Sequence, residues 1–294
     1  MARNFGKYVL VTPARNEEAH IERLLQVVVA QTLLPRKYVI VSDGSTDRTD
    51  EIVRAYAERY DFIELVRAEK DSRAGFGSKV FAFNTGYARM RNVPYEFIGN
   101  LDADVSFEPD YFERLLSEFN RNERLGLAGG LVYQPYRGTF RSVHKNHKSH
   151  DNVAGAVQLF RRECFEQIGG YIPLRGGGID TAAEIMARMR GWRVETVRSC
   201  IALSHRPMRT GKGSELGQRF NKGAMNWQLG YHPLFQLAIF CRRIPDPPFF
   251  FGALWTLAGY FWTALRCPER QVTQEFVTFL RNEQMERLGL KRAK

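Results

Sequence analysis

Cysteine is scarce in this chain of 294 residues, and the few cysteines form no pattern. They lie far apart in apolar or helix-like contexts, at Cys164, Cys200, Cys241 and Cys267. Metal sites built on cysteine need short, regular spacings, so this class of site is excluded. We predict buried free thiols in a reducing compartment, although an even number of cysteines also permits disulfides.

Three further absences narrow the class of protein. Residues 1–7 hold no apolar core of signal-peptide length, from which we expect a cytosolic protein or one bound to the cytosolic face of a membrane. The chain has no internal repeat and no low-complexity linker. No G-x-G-x-x-G turn follows the first apolar segment, and the glycines within 75–77 come too late, which argues against a dehydrogenase.

Positive charge is in excess, and it is concentrated in the last third of the chain. The hydrophobic share of 44% and the charged share of 26% are typical of a folded globular protein. Of the formal net charge of +11, residues 206–294 carry +8, from 14 Lys and Arg against 6 Asp and Glu. We therefore expect this region to meet an anionic partner. No nucleic-acid-binding motif is present, so a membrane surface is favoured over nucleic acid.

Short apolar segments alternate with helix-like segments in the first half of the chain. Apolar runs predict strands at 8–11, 38–41, 62–66 and 97–101. Apolar residues at helical spacing predict helices at 21–29, 52–60, 80–90 and 111–119, with Asn16 as the N-cap of the first. Such alternation predicts an α/β protein with a parallel sheet and helices on both of its faces.

The pattern changes after residue 126. Glycine-rich strands are predicted at 127–132 and 153–160, followed by a helix over 161–168 that ends at two glycines. A loop with glycines at 176–178 leads into a helix over 181–190, which stops at Gly191. Glycine-rich strands thus replace the regular alternation in this part of the chain.

Residues 247–265 contain no charged side chain and are rich in aromatics. Arginines flank the segment on both sides, at 242–243 and at 266 and 270. The segment is borderline in length for a membrane-spanning helix, which needs about 20 apolar residues. Its proline start, two glycines and dense aromatics fit a helix lying in the membrane interface, and a buried helix of a C-terminal subdomain is the alternative. The excess positive charge favours the membrane surface.

Carboxylates follow two of the predicted strands. Asp43 comes just after the strand at 38–41, and Asp102 and Asp104 come after the strand at 97–101. The carboxyl ends of parallel strands open onto the ligand crevice of such a sheet. Two acids one residue apart in extended chain point to the same face, which suits a divalent metal and a diphosphate. By themselves, Asp43 could merely close an Asx-turn, and an Asp-x-Asp triplet could arise by chance.

The segment at 12–18, TPARNEE, leaves the first strand and enters a helix. The free N–H groups at the start of that helix could meet an anionic ligand, and plain helix capping is the alternative. Asp43 lies at the same predicted sheet edge, where Gly44 makes a tight turn and Ser45 or Thr46 caps the next helix. Together the two segments predict a nucleotide pocket.

Five motifs in this order resemble those of the family 2 glycosyltransferases with the GT-A fold. They are residues 12–18, 41–49, 77–86, 102–104 and 178–192, and the resemblance covers roughly residues 6–210. The resemblance implies a Rossmann-like, mostly parallel sheet flanked by helices. Its nucleotide-sugar half would be at about 1–125 and its acceptor half at about 126–210. Residues 211–294 would form a basic, aromatic helical extension that associates with a membrane.

The resemblance also implies roles for individual residues. The implied nucleotide-sugar-binding residues are Pro13, Ala14, Arg15, Glu17, Asp43, Lys79, Asp102, Ala103 and Arg206. The implied ligands of Mn²⁺ or Mg²⁺ are Asp104, Asp102 and His205, with Asp104 the most direct. A lone histidine can equally be structural, so His205 has that alternative.

Asp180 is implied to be the base that deprotonates the acceptor hydroxyl. The family usually opens this helix with an acidic pair, followed by an Arg and a Gly-Trp. Here Ile179 replaces the first acid, while Arg188 and Trp192 match. Asp180 could also act as a helix N-cap. Glu184, on the same helical face, either supports the base or is a solvated or core-paired acid.

Three histidines at three-residue spacing, His144, His147 and His150, could place zinc ligands on one helical face. Only Asp151 is available to complete such a set, so we favour a mobile polar loop over the acceptor side. The further residues predicted for acceptor binding are Gln158, Arg161 and Arg162.

These observations predict a metal-dependent, inverting glycosyltransferase. It would move a sugar from a nucleotide-diphosphate sugar, with UDP favoured, to a hydroxyl of a glycan or lipid-linked glycan. We expect it to be peripheral or monotopic on the cytoplasmic face of a membrane. One alternative is transfer to a polyprenyl phosphate, which is already ionised and needs no base. The other is a non-catalytic basic module that binds anionic membranes.

Overall fold

The computed structural model describes residues 6–68, 77–136, 138–143, 152–174, 176–206 and 214–290. The chain divides into two compact units. Unit 1 consists of Met1–Pro173 and Ile179–Met208, and unit 2 consists of Leu174–Gly178 and Arg209–Lys294. The predictions for His144, His147, His150 and Asp151 lie outside the described residues.

The described part of unit 1 is built on one sheet of nine strands. In chain order they are β1 (Tyr8–Ala14), β2 (Lys37–Asp43), β3 (Ile63–Ala68), β4 (Phe97–Leu101), β5 (Val105–Phe107), β6 (Leu125–Tyr136), β7 (Thr139–Ser142), β8 (Val157–Arg161) and β9 (Arg193–Ser204). Their order across the sheet is β3-β2-β1-β4-β8-β6-β9-β5, and β7 pairs with β6. Because β1 lies between β2 and β4, the sheet has a topological switch point at the carboxyl end of β1.

Helices of unit 1 pack on both faces of this sheet. They are α1 (Ile21–Val29), α2 (Thr49–Ala57), α3 (Ser78–Ala88), α4 (Tyr111–Arg121), α5 (Arg162–Gln167) and α6 (Ile179–Met189). Tyr8 and Leu10 of β1 enter a core cluster with α1 and α4, whereas Val9 and Val11 enter another with α3 and α6. Alternate residues of the strand thus face opposite helical layers, and the residues on both sides of the strand are buried. The predicted α/β class is confirmed.

The predicted mostly parallel sheet is confirmed, and β6 runs parallel to β9 in its second half. β1 runs parallel to β2 and to β4, and β2 runs parallel to β3. By contrast, β8 runs antiparallel to both β4 and β6, and β5 runs antiparallel to β9. The strands β6 and β7 follow each other directly in the chain and pair antiparallel.

Several predicted element boundaries are wrong. Helix α1 begins at Ile21 and not after Asn16, which adopts a left-handed φ of 53°. Helix α2 begins at Thr49, so neither Ser45 nor Thr46 is its N-cap. The strand predicted at 153–160 is shorter, because only its last four residues belong to β8. The loops before α1 and α2 use these polar residues for contacts with each other.

The four cysteines are free thiols, as predicted, but only half of them are buried. Cys164 and Cys200 are buried, whereas Cys241 and Cys267 are exposed. Burial raises the pKa of the Cys164 thiol to about 12 and that of the Cys200 thiol to about 11. These two thiols are therefore unreactive at neutral pH, because the thiolate is the nucleophile.

Unit 2 is helical in its described part. Its helices are α7 (Glu215–Gln228), α8 (Pro233–Arg243), α9 (Phe249–Arg266) and α10 (Gln274–Arg287). Their buried core includes Leu229, Tyr260, Phe276 and Val277. Helix α9 contains most of the uncharged segment at 247–265. Within the described residues, every helix is too short or too polar to traverse a bilayer.

Helices α7 and α9 approach each other at a distance that only glycine permits. A Cβ on Gly223 would lie 1.9 Å from the carbonyl oxygen of Thr256. A Cβ on Gly259 would lie 2.0 Å from the carbonyl oxygen of Phe220. Both separations are far below contact distance, so the two backbones touch directly at these points. The small residues of α9 therefore face α7.

Gly223→Ala is expected to destabilise unit 2 by about 3 kcal/mol, because the added methyl group forces the two backbones apart. Gly217→Ala in the same helix is the matched control, since its Cβ would meet only the Ser214 hydroxyl, at 3.4 Å. The control should be neutral or slightly stabilising, because alanine has the higher helix propensity. Urea unfolding followed by circular dichroism measures both. Equal midpoints for the two variants would contradict the close approach.

Candidate active site

A cavity of about 320 Å³ opens in unit 1 at the carboxyl ends of β1, β2 and β4. Its lining residues are Pro13, Ala14, Arg15, Glu17, Asp43, Ser78, Lys79, Ala82, Asp102, Ala103, Asp104 and Arg206. Ten of these twelve are residues that the sequence predicted to bind a nucleotide sugar or a metal. The sheet therefore brings together segments that are up to 193 residues apart in the chain.

Two lining residues were missed by sequence reasoning, and two predicted site residues lie outside the lining. Ser78 and Ala82 belong to α3, and their spacing of four residues is the signal that could have found them. Asp180 is not in the lining but is close enough to influence the pKa of Lys79. His205 is also outside it.

The loops that follow β1 and β2 are tied together by hydrogen bonds. The backbone N–H of Thr46 donates to Asn16 Oδ1 at 2.8 Å, and the N–H of Asn16 donates to Ser45 Oγ at 3.2 Å. The N–H of Glu17 donates to Thr49 Oγ1 at 2.8 Å. These bonds satisfy backbone groups that no helix satisfies, which explains why the loop residues do not act as helix caps. They also fix two walls of the cavity relative to each other.

Lys79 is paired with the first acid of the Asp-x-Asp triplet. Its Nζ lies 2.5 Å from Asp102 Oδ1. Burial acts to lower the pKa of Lys79, but the carboxylates of Asp102, Asp180 and Asp104 together outweigh burial, so the net pKa is raised. Lys79 therefore stays cationic at neutral pH. It places a positive charge among the carboxylates at the end of β4.

Arg206 also lines the cavity, although it lies near the end of unit 1 in the sequence. It forms an ion pair with Glu17, 189 residues earlier in the chain. Its Nε lies 3.7 Å from Asp104 Oδ2. Burial raises the pKa of Glu17, and Arg206 offsets that rise only in part. Burial and the neighbouring Asp102 charge raise the pKa of Asp104, again against the attraction of Arg206. The cavity thus holds carboxylate charge that its own cations do not fully stabilise.

The predicted metal ligands do not form a complete site by themselves. Among the described residues, no three His, Cys, Asp or Glu side chains are grouped so that they could hold a metal ion. The backbone N–H of His205 donates to the Asp104 carbonyl at 2.7 Å, and its Nε2 lies 2.7 Å from Ser106 Oγ. Burial lowers the pKa of His205, which keeps the imidazole neutral at pH 7.

The donor set at this position nevertheless suits a hard cation. Mg²⁺ commonly uses one or two carboxylates together with phosphate oxygens of its substrate, and Mn²⁺ also accepts oxygen and imidazole. Asp102 and Asp104 supply the carboxylates, and the raised pKa of Asp104 reflects first its burial and then the Asp102 charge, a repulsion that a cation would relieve. His20, which sequence reasoning did not consider, has a buried Nδ1 without a hydrogen-bond partner among the described residues. The residues present fit a divalent ion that binds together with a diphosphate.

Asp180 lies in the first turn of α6, against the loop that precedes β8. A Cβ on Gly155 would lie only 2.7 Å from Asp180 Oδ2, so glycine is required for the loop to approach this carboxylate. The Gly155 carbonyl accepts a hydrogen bond from Asn100 Nδ2 at 3.3 Å, and the Ala156 carbonyl accepts one from the N–H of Asp102 at 2.9 Å. The loop therefore connects Asp180 to the end of β4.

Glu184, one helical turn after Asp180, is buried and holds the same loop. Its Oε1 accepts from the N–H of Val153 at 3.0 Å, and its Oε2 accepts from Asn152 Nδ2 at 3.0 Å. Burial, and then the negative charge of Asp180, raise the pKa of Glu184 well above its ordinary value. The sequence allowed Glu184 to support the base, to be solvated or to be paired in the core. Its burial excludes the solvated acid.

The raised pKa of Glu184 predicts a pH-dependent difference in stability. Its contribution to folding is fully present below the unfolded-state pKa of about 4.3 and is lost as the pH rises through the folded-state pKa. The free energy of unfolding of the wild type should therefore fall relative to that of Glu184→Gln, by up to about 1.4 kcal/mol per pH unit within this window. Urea titrations from pH 4 to 8 measure the difference, with the exposed Glu58→Gln as control. A pH-independent difference would contradict the raised pKa.

The three residues predicted for acceptor binding have hydrogen-bond or ion-pair partners within unit 1. Gln158 is fully buried and accepts a hydrogen bond from the Tyr171 hydroxyl at 2.7 Å. Arg161 Nη2 donates to the Phe119 carbonyl at 3.0 Å, and Arg162 forms an ion pair within its own helix. Acceptor binding by these residues therefore stays a prediction.

Comparison with known sequences gives a family. The sequence profile described as Glycosyl transferase family 2 matches residues 9–179, which is more than half of the chain. Glycosyltransferase AglE of Haloferax volcanii is 30% identical over 175 residues, covering 55% of this chain and 55% of that protein. The chain spans about half the length of such curated relatives.

Comparison with solved structures confirms the predicted GT-A fold. The mannosyltransferase PcManGT from Pyrobaculum calidifontis, in complex with GDP-Man and Mn²⁺, aligns with a TM-score of 0.56 at 19% identity and covers 99% of this chain and 82% of that chain. Staphylococcus aureus TarS 1–349, in complex with UDP-GlcNAc, aligns with a TM-score of 0.56 at 15% identity and covers 95% of this chain and 81% of that chain. At these identities the likeness concerns the fold.

Proposed function

The chain belongs to glycosyl transferase family 2, and on that premise we propose that it is a metal-dependent, inverting enzyme that uses a nucleotide-diphosphate sugar as donor. The observation that carries this proposal is that ten residues predicted for donor or metal binding line one and the same cavity. The cavity lies at the switch point of the sheet, where ligands of open α/β sheets bind.

The donor would lie with its nucleoside against the ends of β1 and β2. Asp43, only 6% exposed, closes β2 at the cavity and can accept hydrogen bonds from a base N–H or from ribose hydroxyls. Lys79 and Arg206 supply the positive charge that a diphosphate requires. Both UDP and GDP sugars occur in solved structures of the same fold, and we take UDP-sugars as the first donors to test.

Asp102 and Asp104 are the residues that would hold Mn²⁺ or Mg²⁺ together with the diphosphate oxygens, while the imidazole of His205 is paired with Ser106 Oγ. When bound, such an ion neutralises the charge that develops on the departing diphosphate. The Lys79–Asp102 contact and the Glu17–Arg206 ion pair keep the surrounding side chains oriented before the donor arrives.

Asp180 would act as general base in a single displacement. It takes the proton of the acceptor hydroxyl as the hydroxyl oxygen bonds to the anomeric carbon of the sugar. The bond from that carbon to the diphosphate oxygen breaks, and the nucleoside diphosphate leaves with the electron pair. Attack from the face opposite the leaving group inverts the anomeric configuration.

The acceptor in this proposal is a hydroxyl of a glycan or of a lipid-linked glycan, used at the cytoplasmic face of a membrane. Transfer to a polyprenyl phosphate is the second candidate. A phosphate oxygen is already ionised at neutral pH, so that acceptor would not need Asp180 as a base. The two candidates therefore differ in their dependence on one carboxylate.

Nucleotide release from a panel of UDP-, GDP- and dTDP-sugars, with Mn²⁺, Mg²⁺ or EDTA, tests the donor half of the proposal. Slow hydrolysis of one donor that stops in EDTA is expected, because water can replace the acceptor. The same panel is run with a thermal shift readout. If no donor is hydrolysed and none raises the melting temperature, the catalytic proposal is wrong and the membrane-binding module takes its place.

A further inference from the structure

Helix α9 exposes most of its large apolar side chains and buries its small residues, with Tyr260 as a large side chain that is buried. The exposed side chains are Phe249, Phe250, Phe251, Trp255, Phe261, Trp262 and Leu265. The buried residues are Gly252, Ala253, Thr256, Gly259, Tyr260 and Thr263. A helix on a soluble protein surface normally turns its large apolar residues inward, so this arrangement is the reverse of the usual one. We call the seven exposed side chains the aromatic face.

The close packing of α7 and α9 fixes this orientation. Gly252, Thr256, Gly259 and Thr263 recur at intervals of four, three and four residues, which places them along one side of the helix. The backbone contacts at Gly223 and Gly259 leave no room for a larger side chain on that side. The aromatic residues must therefore point away from α7.

The aromatic face extends onto the neighbouring helix α8. Leu234 and Leu237 of α8 are exposed as well, and so is Ile244, which directly follows this helix. The rings of Phe240 and Phe250 are in contact at 5.9 Å between centroids, which links the two helices. An exposed apolar surface of this extent marks a place of interaction.

Arginines border the aromatic face at both ends of the uncharged segment. Arg242 lies in the last turn of α8 and Arg266 ends α9, and both are exposed. The Arg266 guanidinium lies over the Trp262 ring, 4.9 Å from its centroid. Between residues 240 and 270 the chain has four arginines and two acids. Trp and Tyr rings with flanking Arg are the composition favoured where hydrocarbon meets charged headgroups.

We infer that the aromatic face lies in the headgroup region of an anionic lipid bilayer, with the axis of α9 parallel to the bilayer plane. An orientation along the bilayer normal is disfavoured, because one side of α9 packs against α7 and only the other side exposes large apolar side chains. The flanking arginines would contact lipid phosphates while the rings reach the acyl boundary. The inference specifies the surface for the membrane location proposed above and does not depend on the donor chemistry.

Flotation with lipid vesicles tests the inference on the full chain. Wild type is expected to float with vesicles of phosphatidylcholine and phosphatidylglycerol in a 7:3 ratio, and far less with phosphatidylcholine alone. Trp255→Ser/Trp262→Ser should bind at least about tenfold more weakly, because binding scales with the apolar area inserted. Arg242→Gln/Arg266→Gln should lose about fivefold per arginine on the anionic vesicles only.

The matched control is Leu34→Ser, which removes an exposed apolar side chain from unit 1 and should float as wild type does. Quenching of wild-type tryptophan fluorescence by brominated lipids supports the inference independently of any variant. Unchanged flotation of the double tryptophan variant, or absence of quenching, overturns it. A wild-type dimer that the double tryptophan variant converts to monomer, without vesicle binding, also overturns it and assigns the face to a second copy.

Donor hydrolysis without vesicles separates this inference from the proposed function. The double tryptophan variant should keep the wild-type hydrolysis rate and melting temperature, since both residues lie outside the donor cavity. Vesicle binding without hydrolysis by wild type would leave the membrane surface in place and reject the enzyme mechanism. Donor hydrolysis without vesicle binding would support the enzyme mechanism and reject the membrane surface.

Discussion

Asp180→Asn is expected to lower the rate of transfer to a hydroxyl acceptor by about 10²- to 10⁴-fold, which is the usual contribution of a general base. Asparagine keeps the shape of the side chain but cannot take the proton. Donor affinity should change little, because Asp180 does not line the donor cavity. Transfer is measured as nucleotide release with acceptor, and affinity by isothermal titration with the nucleoside diphosphate. The exposed Asp61→Asn is the matched control.

A second variant tests the position of Asp180 and not its charge. Gly155→Ala adds a Cβ 2.7 Å from Asp180 Oδ2, so the carboxylate must shift. We expect slower transfer with an unchanged melting temperature if the shift is confined to the side chain.

Full transfer by Asp180→Asn to a polyprenyl phosphate, together with none to a hydroxyl by wild type, would contradict the base role and select the alternative acceptor.

Asp104→Asn is expected to lower metal-dependent nucleotide release by about 10³-fold, because charge stabilisation by a metal ion amounts to several kcal/mol. The carboxylate is largely buried, and burial together with Asp102 raises its pKa, so it is a site where a cation is favoured. Release is measured across a range of Mn²⁺ concentrations. Partial recovery at high Mn²⁺ is expected, since Asp102 remains as a ligand.

The control for Asp104→Asn is again Asp61→Asn, which removes the same charge from an exposed turn. Direct binding of Mn²⁺, followed by electron paramagnetic resonance in the presence of nucleoside diphosphate, should weaken in Asp104→Asn and stay unchanged in the control. Retained activity of Asp104→Asn, or wild-type activity that persists in EDTA, would show that the Asp-x-Asp triplet does not bind a catalytic metal.

Regular, local patterns made the first half of the fold predictable. Apolar runs located β1, β2 and β4 to within a few residues, because central parallel strands are buried on both faces. The second half has no such regularity. The antiparallel strand β8 and the three-residue strand β5 are defined by their partners across the sheet, and a short strand carries little periodic signal of its own.

The candidate site was predictable as a set of residues but not as a set of contacts. The ends of β1, β2 and β4 and the Asp-x-Asp triplet are visible in the chain, because strand ends and motif spacing are local properties. The ion pair of Glu17 with Arg206 is not visible, since 189 residues separate the partners. The loop contacts of Asn16 likewise replaced the helix cap that local propensity favoured.

Local sequence patterns are sufficient to assign the α/β class, the strand ends that carry the acids, and the uncharged aromatic segment at 247–265. Tertiary structure decided which partners those residues have. It buried Glu184 beneath the loop at Asp180, and it turned the aromatic side chains of α9 outward, because α7 occupies the side lined with small residues. The hydrophobic period and the composition of a segment are local properties of the sequence. Which side of a helix is buried depends instead on the neighbour that it packs against.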